Sequence, residues 1–299
     1  MTDHLVARGT SLAWAPPGGP LAGSPGLEGW SVLDASTAAV HTGFGLGRLA
    51  PAGSVLAHVH SYEESLYVLD GGVVVQTPGE AASLGPGDYG LIPVGVPHSL
   101  RNESSDETRF ARLSVPLPRP AHDLDTQLVP ELTETAPVPA DVRDPRTRRY
   151  GHIEPANMDP ALQTQDRLAV SASMRSALLV YSGISVKMMV DSDLGAVLST
   201  MFMVQYEPDG VAGAHDHPFE EAYLILEGAV EATLDEVSYV LEPGDVAWAG
   251  AGCVHGFRNV GDGPVRWLET QAPQPPSRHS YRFARDWDYL RQQLHGGEG

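Results

Sequence analysis

The chain has 299 residues, 42% of them hydrophobic, enough for two domains with their own cores, which argues against wholesale disorder. A formal charge of −19 excludes nucleic acid and anionic membranes as general partners. The one cysteine, Cys253, excludes an intramolecular disulfide and fits a reducing compartment.

In chain order, the opening stretch MTDHLVARGTSLAW lacks the charged-then-apolar pattern of a secretory signal, so a cytoplasmic protein is expected. Short β-branched runs follow, such as SLYVLDGGVVVQT at 65–77, punctuated by Gly and Pro. That is the pattern of an antiparallel sandwich or barrel. Residues 116–149 are rich in proline, lack hydrophobic periodicity and hold the only basic cluster, RDPRTRRY at 143–150; they read as a linker that packs over a surface. The apolar stretch at 176–190 is broken by Ser182, Gly183 and Lys187 and falls short of a membrane span. Strand-like runs return at 198–206 and 222–234. At 280–294, Phe283, Trp287, Leu290 and Leu294 have helical spacing, which predicts a short closing helix. The expected organisation is a first domain at 1–118, a Pro-rich segment at 119–160 and a second domain at 161–299.

The two halves repeat. HVHSYEESLYVLDG at 58–71 shares its frame with HDHPFEEAYLILEG at 215–228, an offset of 157 residues, and PGDYGLIPVGVPHSLRN at 86–102 matches PGDVAWAGAGCVHGFRN at 243–259 at that offset. Between 51–102 and 208–259, 18 of 52 positions are identical without a gap. The shared residues are chiefly those that mark turns and sites, so the chain is a duplication of one domain.

Residues two apart on a strand face the same side. His58 and His60 therefore point together, as do His215 and His217, and Glu64 and Glu221 keep that parity. His98 and His255 arrive from a later strand, each eleven residues after Gly87 and Gly244. Three neutral imidazoles and one carboxylate, with no thiolate, suit a divalent transition metal: Fe, Mn or Ni, with Co or Zn as further candidates, up to two ions per chain. Such an ion keeps a net positive charge and open positions, which draw an anionic small molecule.

With these residues in place, the sequence resembles the cupin superfamily, specifically the bicupins. The first motif is carried by Gly53, His58, His60, Glu64 and Gly71, and again by Gly210, His215, His217, Glu221 and Gly228. The second is carried by Gly87, Pro93, Gly95, His98 and Asn102, and again by Gly244, Gly252, His255 and Asn259; Gly250 stands where the first copy has Pro93. The resemblance implies an all-β chain of two tandem jelly-roll barrels with a metal at each centre. It leaves the reaction open, because this architecture hosts dioxygenases, oxalate-degrading enzymes, isomerases, amidohydrolases and sensors.

Other residues carry secondary expectations. Glu63 and Glu220 point away from the centres by alternation. Asn102 and Asn259 either orient a ligand or end a turn, and Cys253, opposite Val96 in the repeat, reads as a small buried hydrophobe. Arg109 and Arg266 match at the repeat offset and are candidate carboxylate-gripping residues. Tyr223 and Phe257 replace Leu66 and Leu100, which predicts an aromatic second cavity with the Tyr223 phenol as a catalytic group and Phe257 against the substrate. The favoured function is an O2-dependent dioxygenase acting on a small oxygenated or carboxylated substrate, with the second centre as the reactive one. The alternatives are a redox-neutral isomerase or amidohydrolase and a non-catalytic ligand-binding protein. Ureidoglycine aminohydrolases are similar in size, but their metal set begins with a glutamate and ends in a glutamine, unlike Glu221 and His255 here. Oxalate enzymes rank low because an aromatic cavity suits so small a dianion poorly. A homodimer is left open.

Overall fold

The computed structural model describes residues 4–119, 125–141, 144–159, 176–179, 183–274 and 282–283. β-strands dominate, and among the described residues there is no α-helix, only short 3-10 turns. Each half is a pair of facing sheets. In the first half, six strands run in the order 150–152, 88–92, 63–70, 108–115, 43–49, 27–33. Facing them are 126–128, 54–60, 98–101, 73–77, 80–84 and 138–139. In the second half, one sheet runs 4–7, 246–249, 220–227, 265–272, 200–206, 184–190, 176–179, and the other 237–241, 230–234, 255–259, 211–216, 282–283.

The first-half sheet that contains 63–70 and the seven-stranded sheet of the second half pack back to back. Trp30, Phe44, Tyr89 and Leu113 from the first half share one core with Met201, Trp248 and Leu268 from the second. This explains why Glu63–Asp70 and Glu220–Glu227 read as nearly continuous apolar runs and not as alternating ones. Their central residues are buried on both faces, one toward the sheet interior and one toward the other half. The start of the chain belongs to this arrangement too: His4–Ala7 pairs antiparallel with Val246–Ala249 at the edge of the second-half sheet. The proline-rich segment adds edge strands to the first half, pairing Thr126–Leu128 with Ser54–His60 and Tyr150–His152 with Asp88–Ile92. Motif glycines sit where the chain needs a left-handed turn: at Gly71 (φ 73°) and Gly228 (φ 72°) a Cβ would lie 2.6 Å from a backbone carbonyl.

Two expectations are corrected. No sheet closes into a barrel, so the predicted jelly-roll barrels are open pairs of sheets. The ladder breaks at the corners: Ser54–His60 and Glu63–Asp70 are separated only by Ser61 and Tyr62 yet join different sheets, and bulges interrupt the pairing between Val55 and His58 and between Ser31 and Leu33. The predicted closing helix is not found among the described residues. Within its span Arg282 and Phe283 pair as a strand with Asp216 and His215, and the rest of 280–294 lies outside the described residues.

Candidate metal centres

The imidazoles come from one sheet and the carboxylate from the sheet facing it. His58 and His60 end one strand, and His98, directly across the ladder from His58, begins its neighbour. The second half repeats this, with His215 across from His255. Within each triad, His58–His60–His98 and His215–His217–His255, one ligand atom per residue lies within 4.8 Å of the others.

All six rings are fixed in the same tautomer. Each Nδ1 lies 2.6–3.0 Å from a backbone carbonyl, of Leu56, Tyr62 and Val96 in the first half and of Gly213, Phe219 and Cys253 in the second. Nδ1–H therefore donates to the chain and the Nε2 lone pair faces inward. In the first half the Nε2 atoms of His58, His60 and His98 are buried without a hydrogen-bond partner. Three converging, desolvated lone pairs are costly by themselves and are what a divalent ion would satisfy.

Electrostatics keep four of the imidazoles and both carboxylates in ligating form; His255 differs, because burial opposes its charge but the Glu221 carboxylate outweighs burial and raises it. Burial lowers His58 and His60, burial and the neighbouring His58 push His98 down to about 3, and burial and His255 push His215 down to about 4. Burial alone would raise Glu64, but the Arg112 guanidinium with His60 and His98 outweighs it and holds the carboxyl at about 2. Burial opposes the ionised form of Glu221 as well, yet His217 and His255 hold it well below the usual carboxylate range; its Oε2 lies 2.9 Å from His217 Nε2 and 3.2 Å from His255 Nε2.

The two centres differ in what surrounds them. In the first, Arg112 Nη2 donates to Glu64 Oε2 at 2.5 Å. A ring stacked on the second histidine is common to both, Tyr62 on His60 with centroids 4.0 Å apart and Phe219 on His217 at 3.8 Å, but only Tyr62 carries a hydroxyl. Tyr62 and Arg112 also line a cavity of about 510 Å3, together with Ser31, Gly43, Gly45 and Ser114. The four ligands themselves are not in its lining, and Tyr62 and Arg112 connect it to His60 and Glu64. Gly45 lets the bulged neighbouring strand close down, since a Cβ there would sit 2.4 Å from the Trp30 carbonyl. At the repeat offset the second half has Thr200 and Phe202 in place of Gly43 and Gly45. Much of its interior is aromatic, with Phe202, Tyr206, Tyr223, Phe257 and Trp267 buried in one core, and the cavity beside His255 and Phe257 is smaller, about 320 Å3. The Tyr223 hydroxyl donates to Glu221 Oε2, Gln271 Nε2 donates to Glu221 Oε1 at 2.6 Å, and the Tyr223 phenol is pushed well above its ordinary value by burial and by Glu221.

Tyr223 and Phe257 lie beside the second centre, at the aromatic positions expected of them: Tyr223 packs in the core, and Phe257 also lines the cavity of about 320 Å3 together with His255. Arg109 and Arg266 are elsewhere. They pair with Asp70 and Glu227 and line a cleft of about 560 Å3 between the halves, whose lining includes none of the eight expected ligands. Asn102 and Asn259 end turns, donating to the Asp106 and Gly263 carbonyls. Glu63 and Glu220 do face away from the centres, yet are buried and bound by the opposite half. The residues that sequence reasoning missed are Tyr62, Arg112 and Gln271. Arg112 was legible in principle, lying three residues beyond Arg109 on one strand and therefore on the opposite, inward face.

The cupin-domain family model matches residues 45–116 and 202–270, one match per half and each spanning a histidine triad. No curated protein sequence matches the chain. Among solved structures, an oxalate decarboxylase from Lactobacillus farciminis is similar at 15% identity and TM-score 0.63, covering 98% of this chain and 93% of its own. A salicylate 1,2-dioxygenase from Pseudaminobacter salicylatoxidans is similar at 12% identity and TM-score 0.64, covering 90% and 84%. A protein described as glyoxylate-induced, from Pseudomonas aeruginosa, gives 19% identity, TM-score 0.64 and 94% and 93% coverage. These likenesses concern the fold.

Proposed function

Because the chain belongs to the cupin superfamily and carries two cupin domains, we propose that it is a metal-dependent enzyme. Its substrate is a small carboxylated organic molecule, bound at the first-half centre, and its reaction is an O2-dependent dioxygenation. The observation that carries this reading is the first-half constellation: three buried Nε2 lone pairs without partners, and a cavity lined by Arg112 and Tyr62, the two side chains that touch Glu64 and His60.

His58, His60 and His98 with Glu64 would hold the ion at the first centre, and His215, His217 and His255 with Glu221 would hold one at the second. A bound divalent ion supplies Lewis acidity and open positions for a substrate oxyanion and a small oxidant. The remaining work belongs to the chain. Backbone carbonyls on Nδ1 hold the imidazoles in one tautomer and orientation, so little reorganises on binding. Arg112, 28% exposed toward the cavity, offers its free N–H groups to a carboxylate while keeping Glu64 ionised. Ser31 and Ser114 add hydroxyls along the cavity, and the Tyr62 ring forms a flat wall over His60. The glycine-lined floor leaves room for a ring-sized substrate, larger than a dicarboxylate of two carbons needs. That size favours the dioxygenase reading over oxalate decarboxylation. The second centre, packed with aromatic side chains, is assigned a supporting role.

The test is oxygen consumption by protein loaded with Fe(II), Mn(II) or Ni(II), with hydroxylated aromatic and aliphatic carboxylates as substrates. Substrate-dependent uptake of oxygen is the expected result. Full turnover under strict anaerobiosis would move the protein to the redox-neutral class.

A further inference from the structure

We propose that His4, Asp235 and Cys253 form a third metal site, a zinc-type clip that fastens the start of the chain to the second half. One ligand atom from each of the three lies within 4.8 Å of the others. The set of one nitrogen, one oxygen and one sulfur is borderline-soft and suits Zn(II), unlike the sulfur-free cupin centres.

Two of the three ligands, His4 and Asp235, are oriented from behind, as side chains that hold an ion usually are. His4 Nε2 is 3.0 Å from the Tyr239 hydroxyl, which turns Nδ1 toward Asp235 Oδ2, 3.4 Å away. Asp235 Oδ1 accepts the Val254 amide at 3.1 Å, leaving Oδ2 for the cluster. The His4 side chain is only 6% exposed and Cys253 is buried, while Asp235 at 35% exposure provides an entry path.

The backbone adds an independent observation. Asp235 (φ 46°) and Glu236 (φ 70°) form the two-residue turn joining Val230–Leu234 to Val237–Leu241, and both are in the left-handed region without being glycine. The equivalent turn in the first half is Pro78–Gly79, with the glycine taking the left-handed position. Asp is among the residues that tolerate the left-handed region in such turns, and in this one its side chain lies against His4. Cys253 likewise replaces the Val96 of the first half. The second half therefore departs from its twin at two of the positions that meet the N-terminal strand. An ion here would pin His4–Ala7 to the sheet edge, and with it the stretch around Ala13–Gly18 that lines the first-half cavity.

The full chain, stripped of metal and titrated with Co(II), tests this. Cys253 is the only cysteine, so a sulfur-to-cobalt charge-transfer absorption in the near ultraviolet reports this site alone, whatever the cupin centres do. Wild type should develop that band. Cys253→Val should abolish it while the cobalt taken up by the cupin centres remains, and His4→Ala and Asp235→Ala should each weaken it at least about tenfold in affinity. No band in wild type overturns the proposal, and so does a band that His4→Ala and Asp235→Ala leave at full affinity. Wild type and His4→Ala decide the matter even if Cys253→Val does not fold.

Discussion

Glu63 and Glu220 exchange partners across the molecule, each carboxylate being held by backbone amides of the opposite half. Glu220 accepts from Val40, His41 and Thr42 at 2.7–3.1 Å, and Glu63 accepts from Val197 and Leu198 at 2.6 and 2.9 Å and from the Ser199 hydroxyl at 3.2 Å. Each clamp residue directly precedes a glutamate of a metal centre, so the inter-half contact and the two centres are built on the same strand ends. Glu220→Ala strands three amides in a buried setting and should cost about 3 kcal/mol, whereas Glu220→Gln keeps one acceptor oxygen and should cost about half of that. Urea denaturation with an unchanged m-value checks both, and equal losses for the two variants would remove the carboxylate from the account.

The metal-free protein should lose stability in acid. His98, at about 3, and His215, at about 4, have pKa values in the folded protein below their ordinary values because burial opposes the charged ring. The unfolded chain binds these protons near pH 6.5 and the folded one does not, so stability is fully present above that pH and falls as pH drops toward 4 and 3. Glu64, held at about 2 against burial by Arg112, adds a further loss below its unfolded value near 4.5. His255, raised by Glu221 against burial, works in the opposite sense near neutrality, so thermal melts of the metal-free chain should fall most clearly between pH 6 and 4. A flat profile between pH 6 and 4 would contradict the buried neutral imidazoles.

How much of this was legible in the sequence divides along physical lines. The grouping of the six histidines was readable because a repeat of fixed offset constrains each triad twice; strand parity does not carry Glu64 and Glu221, which lie on the facing sheets beyond a corner of the chain. Barrel closure was not readable, since the hydrophobic pattern of a strand specifies its faces and not whether the ladder continues around a corner. The roles of Arg109 and Arg266 were misplaced because a matching offset reports equivalence, not facing; both lie on the side that meets the other half. The contrast between Gly43 and Gly45 on one side and Thr200 and Phe202 on the other was present in the sequence. Its meaning depends on which strands border the cavity, and that is a tertiary fact. Glu63 and Glu220 could be assigned a direction but not a partner, because the inter-half interface has no local signature.

Separating the two centres is the sharpest functional test. His98→Ala should reduce metal content by one ion per chain and lower turnover by about three orders of magnitude. His255→Ala should remove one ion while leaving most of the activity, since the cavity beside that centre is the smaller of the two, about 320 against 510 Å3. Metal analysis paired with single-substrate kinetics reads both quantities, and abolished activity in His255→Ala with the first ion retained would place the chemistry at the second centre.

The cavity mouth offers a probe that leaves the ligands alone. Ser31 is exposed and lines the first-half cavity. Ser31→Trp should fill part of that volume and raise KM about tenfold with metal content and fold unchanged. The same substitution leaving KM untouched would show that substrate enters by another route.

Arg112 is bound to Glu64 and also faces the cavity, so two roles must be told apart. If it binds the substrate carboxylate, Arg112→Met should raise KM by about 10- to 100-fold, the loss of a charge-assisted pair, while Arg112→Lys recovers part of the binding through its charge but not the fork geometry. If it serves only to hold Glu64 ionised, removing it leaves a buried carboxylate without its cation. Stability and metal affinity should then fall while the KM of the metal-loaded protein stays constant. Kinetics at saturating metal, run beside metal titration of the same variants, separate the outcomes. The geometry favours the first: one guanidinium nitrogen is committed to Glu64 Oε2, and the rest of the group lines a cavity with no other cation among its lining residues.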